Sequence, residues 1–102
     1  MSDAKTKAQT LINENGVVVF SKSYCPYCSA SKQLLRDLGA KFELLELDEI
    51  EDGNAIQSAL QEISNQRTVP NIFINKKHIG GNSDLQAIKD KLPDLLKSAG
   101  AL

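Results

Sequence analysis

The stretch VVVFSKSYCPYC, residues 17–28, decides how this chain folds. Residues 17–20 form an unbroken β-branched and aromatic run, which is typical of a central strand covered on both faces. The stretch ends on Cys25-Pro26-Tyr27-Cys28, which contains both cysteines of the protein. Pro26 suits the first turn of a helix, where its missing N–H costs nothing. The stretch therefore predicts a strand that leads into a CxxC motif at the start of a helix.

A thiol at the start of a helix is a candidate nucleophile. Unpaired backbone N–H groups and the positive end of the helix dipole stabilise the thiolate of Cys25. Cys28 shares that helical face, so the two sulfurs can close a disulfide without unwinding the backbone. The alternative is a structural zinc site. It fits less well, because zinc usually takes four ligands and the chain adds only one histidine, His78, to its two cysteines.

The segments around this stretch predict a βαβ unit. The helix that starts near Cys25 closes at Gly39, and residues 42–47 are typical of a second buried strand. After a crossover helix this strand is expected to lie parallel to the first, with a right-handed connection. Upstream, an N-terminal helix is predicted to end at Asn15-Gly16.

The second half of the chain predicts a helix, a hairpin and closing helices. Ile56, Leu60 and Ile63 mark an amphipathic helix, and residues 71–74 and 78–79 flank a short turn. The apolar face of the closing helices consists of Leu85, Ile88, Leu92, Leu95 and Leu96, with a fresh turn at Pro93. The predicted fold class is α/β: one domain, residues 1–102, with a four-stranded mixed sheet flanked by helices and preceded by an N-terminal helix.

Composition narrows the function less than the motif does. The 102 residues include 12 basic and 13 acidic side chains, and the formal net charge of −1 favours neither nucleic acid nor an anionic membrane. The amino terminus has neither the apolar core of a signal peptide nor a transit pattern, and no apolar run is long enough to cross a bilayer. We therefore expect a cytoplasmic protein, in which closely spaced cysteines are a working dithiol or metal ligands.

Four features together resemble the dithiol glutaredoxins of the thioredoxin-fold superfamily. They are Lys22 before the site, CPYC at residues 25–28, TVP at residues 68–70 before a strand, and GGNSD at residues 80–84 at a helix start. Their order and spacing match the family over almost the whole chain. The resemblance implies a thioredoxin-like fold with Cys25 as nucleophile, Lys22 as a cation favouring its thiolate, and Cys28 as the less exposed resolving thiol.

The resemblance also implies a glutathione site. Its predicted contacts are Lys22, Tyr27, Gln57, Thr68, Val69, Pro70, Gly81, Ser83 and Asp84. A cis peptide between Val69 and Pro70 would turn the Val69 N–H and C=O outward to pair with an extended peptide. The amides of residues 80–84 would receive the γ-glutamyl carboxylate, and Asp84 the neighbouring ammonium group. Lys22 and Gln57 would hold the glycine carboxylate.

Each of these residues also has a plainer interpretation. Tyr27 could pack on the rim of the site, as we expect for Tyr24, and Pro70 could be a trans residue that opens an edge strand. Ser83 and Gln86 have capping-box spacing, which explains residues 80–84 as a helix start. Gln57 could be an ordinary polar helix residue and Lys22 a solvated cation, while Arg67 is a possible further cation for the carboxylate.

The predicted function is a glutathione-dependent thiol-disulfide oxidoreductase, a glutaredoxin that reduces protein–glutathione mixed disulfides through Cys25 and protein disulfides through Cys25 and Cys28. Glutathione is a cosubstrate, and we expect no tightly bound cofactor, no nucleic acid or membrane partner, and a monomer. A second hypothesis is an iron–sulfur carrier in which two chains share a cluster through Cys25 and glutathione thiols, although the stiff Pro26 loop should hinder it. A thioredoxin is less favoured, since that family typically has tryptophan before the first cysteine and this chain has none.

Overall fold

The computed structural model describes residues 3–102, and its elements follow the predicted order. The helices are α1 (Asp3–Glu14), α2 (Pro26–Asp37), α3 (Gly53–Ser64), α4 (Asn82–Ala87) and α5 (Leu92–Ser98), with a 3₁₀ turn at Lys89–Lys91. The strands are β1 (Val17–Ser21), β2 (Glu43–Glu46), β3 (Asn71–Ile74) and β4 (Lys77–Gly80). Pro93 lies in the first turn of α5, as its fixed φ favours.

The four strands form one mixed sheet in the order β2-β1-β3-β4. Strand β1 is parallel to β2, as a crossover through α2 requires, and antiparallel to β3. The β3–β4 pair is the predicted hairpin. All five residues of β1 are buried, which confirms the central strand predicted from its apolar run. Its carboxyl end delivers the chain to the cysteines.

Helices cover both faces of the sheet and make two cores. Val17 and Val19 point to the face that packs against α2, α4 and α5, where the buried residues include Leu35. Val18 and Phe20 point to the other face, which packs against α1 and α3. Successive side chains of a strand alternate between faces, so a continuous apolar run is what a doubly covered strand needs.

Two predictions about burial are wrong. Residues 42–47 do not form a buried strand: β2 is shorter, lies at the edge of the sheet, and has Glu43 exposed and its other three residues only partly buried. An edge strand pairs on one side only, and its outer side faces solvent. Leu95, predicted on the apolar face of α5, is 38% exposed, while Leu92 and Leu96 fill the core.

Candidate active site

Cys25 is the N-cap residue of α2. Its backbone is extended, with φ −88° and ψ 119°, and its sulfur accepts a hydrogen bond from the Cys28 N–H at 3.2 Å. The Cys25 N–H donates to the Lys22 carbonyl at 3.1 Å, which closes the turn before the helix. The sulfur thus takes the place of the oxygen that caps most helices and satisfies an otherwise unpaired amide. The predicted position of this thiol at a helix start is confirmed.

Cys28 lies one turn further along α2 and is fully buried, whereas Cys25 is half-buried. Burial raises the pKa of the Cys28 thiol above its ordinary value, and a hydrogen bond with Cys25 raises it further. Cys28 therefore stays protonated at a pH where an exposed thiol begins to ionise. The two sulfurs therefore differ in their access to solvent, Cys25 being the more exposed.

The loop before Cys25 is fixed by a carboxylate that follows β2. Asp48 accepts the Ser23 N–H at 2.9 Å and also the Ser23 hydroxyl. These bonds lower the pKa of Asp48, with the charge of Lys22 contributing least. Tyr24, which follows, is 70% exposed, so the expectation that it packs is wrong.

A groove with a volume of about 320 Å³ lies next to residues 68–70. Its lining consists of Tyr27, Thr68, Val69, Pro70, Gly81, Asn82 and Ser83. The Val69–Pro70 peptide is cis, as the resemblance implied, and the Val69 carbonyl lies 3.9 Å from the Cys25 sulfur. Tyr27 is 68% exposed and stands at the rim. The structure thus brings six of the predicted glutathione contacts to one groove.

Gly81 caps the start of α4 at one end of this groove. The Asp84 carboxylate accepts the Gly81 N–H at 2.9 Å, which fixes the carboxylate at the helix start. The predicted capping pair of Ser83 and Gln86 is wrong, because the helix begins two residues earlier than that pair requires. Ser83 is exposed and does not serve as the cap. Asn82 ties α4 to α2 by accepting the Ser31 hydroxyl at 2.8 Å.

The residues predicted to hold the glycine carboxylate lie outside the lining of the groove. The Gln57 amide donates to the Arg67 carbonyl at 2.8 Å, which leaves one of its N–H groups for another acceptor. The Arg67 guanidinium turns back onto α3 and donates to Ser58 at 3.0 Å. In residues 3–102 the Lys22 ammonium makes no ion pair, and Lys22 is half-buried next to Ser23.

Sequence reasoning missed two residues that shape the site. Asp48 belongs to an acidic stretch that is most simply a solvated loop, yet it fixes the chain before Cys25. Gln66 donates to the carbonyls of Thr68 and Pro70, on either side of Val69. No local sequence pattern predicts either role. The partner of Asp48 is distant in sequence, and the partners of Gln66 lie in an irregular loop.

The fold and the site define a thioredoxin-like α/β protein with a CxxC thiol pair at a helix start. A family model described as glutaredoxin matches residues 17–79. The glutaredoxin of Vernicia fordii is 52% identical over 97% of this chain and 97% of its own, and glutaredoxin-C2 of Arabidopsis thaliana is 54% identical over 97% and 91%. The crystal structure of a buckwheat glutaredoxin–glutathione complex superposes with a TM-score of 0.92, at 48% identity, over 97% of this chain and 92% of that one. The chain belongs to the glutaredoxin family, whose members are thiol oxidoreductases.

The described part of the chain contains neither a membrane span nor a cluster of metal ligands. No helix within residues 3–102 is long and apolar enough to cross a membrane. Within the same residues, no group of three or more His, Cys, Asp or Glu side chains is arranged to hold a metal ion.

Proposed function

We propose that this protein is a glutathione-dependent thiol-disulfide oxidoreductase that removes glutathione from protein–glutathione mixed disulfides. The observation that supports this most strongly is the Cys25 sulfur, which caps α2 and accepts the Cys28 N–H at 3.2 Å. It lies 3.9 Å from the carbonyl of Val69, a residue that lines a groove of about 320 Å³. The buckwheat relative forms a complex with glutathione. Identity of 48% over almost the whole chain supports the same ligand here.

In the proposed reaction the Cys25 thiolate attacks the glutathione sulfur of the mixed disulfide. The bond between the two substrate sulfurs breaks, and the protein thiolate leaves and takes up a proton. Cys25 is then joined to glutathione. A second glutathione, as thiolate, attacks the bound glutathione sulfur, releases Cys25 as thiolate and forms oxidised glutathione. The sum of these steps exchanges the mixed disulfide for oxidised glutathione, so one glutathione thiol is consumed for each protein thiol released.

Protein disulfides would use both cysteines. Cys25 attacks one sulfur of the substrate, and Cys28 then attacks the Cys25 sulfur, which frees the substrate as a dithiol. The new Cys25–Cys28 disulfide is reduced by two further glutathione molecules. Burial of Cys28 suits this order, since the buried thiol cannot meet a protein substrate before Cys25 does.

Glutathione would lie extended along the groove. Its cysteine residue would pair with the main chain of Val69, next to Cys25, while Thr68, Pro70 and the exposed ring of Tyr27 border it. Its γ-glutamyl carboxylate would meet the amides of residues 81–83, and its ammonium group would meet Asp84.

At the other end of the tripeptide, Lys22 and Gln57 would face the glycine carboxylate, with Arg67 anchored nearby through Gln57. We propose that the chain acts as a single-domain monomer in the cytosol, with glutathione as cosubstrate and glutathionylated or disulfide-containing proteins as substrates. A free dithiol is kept reduced in that compartment.

Matched cysteine variants test the function. Cys25→Ser is expected to abolish release of glutathione from a glutathionylated protein and reduction of a protein disulfide. Cys28→Ser is expected to keep the first activity and lose the second. Deglutathionylation by Cys25→Ser at the rate of the unmodified protein would overturn the assignment.

A further inference from the structure

The loop that carries Val69 is spanned by a single side chain. Gln66 lies between α3 and β3, and its Nε2 donates to the Thr68 carbonyl at 3.1 Å and to the Pro70 carbonyl at 3.0 Å. The main-chain hydrogen bonds of loops and caps in residues 3–102 reach neither carbonyl. These two carbonyls flank Val69 on either side, so Gln66 fixes the segment that borders the Cys25 sulfur.

Chemistry fixes which way the Gln66 amide points. The Thr68 and Pro70 carbonyls can only accept, so the NH₂ group faces them and Oε1 faces the opposite side. There Oε1 lies 3.1 Å from Nε2 of His78, on β4. Because Oε1 can only accept, His78 must donate from Nε2. Both N–H groups and the oxygen of the amide are then occupied.

His78 packs against Phe73, which orients its ring for the hydrogen bond to Gln66. Its ring lies 5.2 Å from the ring of Phe73, tilted by 48°. Partial burial lowers the pKa of His78, with the charge of Asp84 opposing, so the neutral ring with its proton on Nε2 is favoured at neutral pH. The imidazolium would also donate from Nε2, and the contact with Gln66 therefore survives protonation.

The main chain of Gln66 is anchored as well. Its N–H donates to the Ser64 hydroxyl at 3.3 Å, and its carbonyl accepts from the buried side chain of Asn71 at 3.4 Å. Gln66 is thus fixed to the end of α3 and the start of β3. Its side chain, bonded to the Thr68 and Pro70 carbonyls, restrains the loop between these two elements.

We propose that Gln66, oriented by His78, is a positioning residue for the glutathione part of the substrate. It holds the carbonyls on both sides of Val69, and thereby fixes the Val69 peptide groups beside Cys25. The Val69 carbonyl lies 3.9 Å from the Cys25 sulfur, and the Val69 N–H has no partner within residues 3–102. An extended peptide that pairs with Val69 then brings its sulfur to Cys25 in one geometry. The proposal rests on the proposed function, because it requires glutathione to pair with Val69.

Gln66→Met in a Cys28→Ser background tests the proposal. Methionine has nearly the shape of glutamine but cannot donate to the carbonyls. We expect the KM for a glutathionylated peptide to rise roughly tenfold, because the loss of about one or two hydrogen bonds weakens binding by that factor. The kcat should change less than about twofold. Gln9→Met, at an exposed position of α1, is the matched control and should leave KM unchanged.

Alkylation of Cys25 by iodoacetamide separates positioning from general damage. This small reagent does not use the main chain of Val69, so its rate with Gln66→Met should match that of the control. A merely structural role for Gln66 would slow or speed alkylation together with the change in KM.

A pair of variants at His78 tests the same contact without touching Gln66. His78→Phe keeps the ring beside Phe73 but removes the donor, and it should raise KM severalfold. His78→Gln carries an amide N–H that can reach Oε1, and it should restore KM to near the value of the parent. This pair decides the matter if Gln66→Met does not fold.

The outcomes separate the two proposals. If the Cys28→Ser parent does not turn over the glutathionylated peptide, the proposed function fails and this inference fails with it. If the parent is active but Gln66→Met has the KM of Gln9→Met, or if His78→Phe and His78→Gln behave alike, the positioning role alone is overturned. A parallel change in alkylation overturns it too.

Discussion

Gly80→Ala should displace Asp84, a residue proposed to bind glutathione, by steric contact. Gly80 has φ +120°, and a Cβ built there would lie 2.3 Å from the Asp84 carboxylate oxygen and 3.1 Å from the Asp84 Cβ. Rotation of the carboxylate relieves the first contact but not the second. Asp84 must therefore move, and its hydrogen bond to the Gly81 N–H, 2.9 Å long, is lost.

The expected cost has two parts. An alanine at positive φ costs about 1–3 kcal/mol, and the lost capping bond costs about 1 kcal/mol, so denaturant unfolding should show a loss of about 2–4 kcal/mol. The functional effect is separate. If Asp84 receives the ammonium group of glutathione, the KM for glutathione should rise roughly tenfold, because a hydrogen bond to a charged group contributes about 1.5–3 kcal/mol.

Gly39→Ala is the matched control. Gly39 has φ +77°, and a Cβ there would meet nothing within 4 Å. This variant should show the backbone cost of about 1–3 kcal/mol with no change in the KM for glutathione. Equal KM values for the Gly80 and Gly39 variants, both folded, would refute the role assigned to Asp84.

Three further perturbations have outcomes that the structure predicts. Lys32→Met removes the ammonium that lies 2.7 Å from Glu46, whose other carboxylate oxygen has no partner within residues 3–102. The free energy of unfolding, measured with denaturant, should fall by about 3 kcal/mol, because a buried carboxylate is left unpaired. The double variant Lys32→Met/Glu46→Leu should recover most of that loss, and no recovery would contradict the ion-pair assignment. Burial raises the pKa of Cys28 above 9.0, so the Cys28 thiolate becomes more abundant as the pH rises from about 7 to 9. The rate at which Cys28 displaces glutathione from a Cys25–glutathione adduct, measured by acid quench and mass spectrometry, should therefore rise about tenfold per pH unit. A flat profile would mean that Cys28 is already ionised. Hydrogen bonds to Ser23 lower the pKa of Asp48 from 3.8, so the stabilisation that they give is present above pH 3.8 and is lost as the pH falls through the folded-state pKa. In Asp48→Asn the melting temperature should therefore decrease less steeply below about pH 4 than in the unmodified protein. An equally steep decrease would contradict this assignment.

The strand and the thiol pair could be predicted from the sequence because their determinants are local. The apolar run of β1, Pro26 in the first turn, and the CxxC spacing all lie within residues 17–28. The position of Cys25 as N-cap and the burial of Cys28 both follow from that helix start. The resemblance to a family supplied the remaining groove residues, which no local rule connects to Cys25.

Sheet order and competing caps could not be predicted in this way. The apolar residues of β2 suit an interior strand as well as an edge strand, and only the pairing of β1 with β3 places β2 at the edge. The start of α4 allows two overlapping capping frames, from Gly81 to Asp84 and from Ser83 to Gln86. The structure has the Gly81–Asp84 cap, with β4 ending at Gly80 and Leu85 fully buried.

Tertiary contacts explain the residues that sequence reasoning misses or misplaces. Gln66 contacts His78 on another element, and Asp48 contacts Ser23 across 25 positions of the chain. An aromatic side chain such as Tyr24 is expected to pack, but the loop fixed by Asp48 leaves it exposed. A linear sequence does not encode such partners in a spacing rule.

The reactivity of one sulfur toward glutathione tests the central claim most directly. Cys28→Ser and Cys25→Ser should each be incubated with oxidised glutathione and weighed intact by mass spectrometry. We predict one glutathione adduct on Cys28→Ser, which retains the accessible Cys25, and none on Cys25→Ser, whose remaining thiol is buried. No adduct on Cys28→Ser, or equal adducts on both variants, would contradict the account.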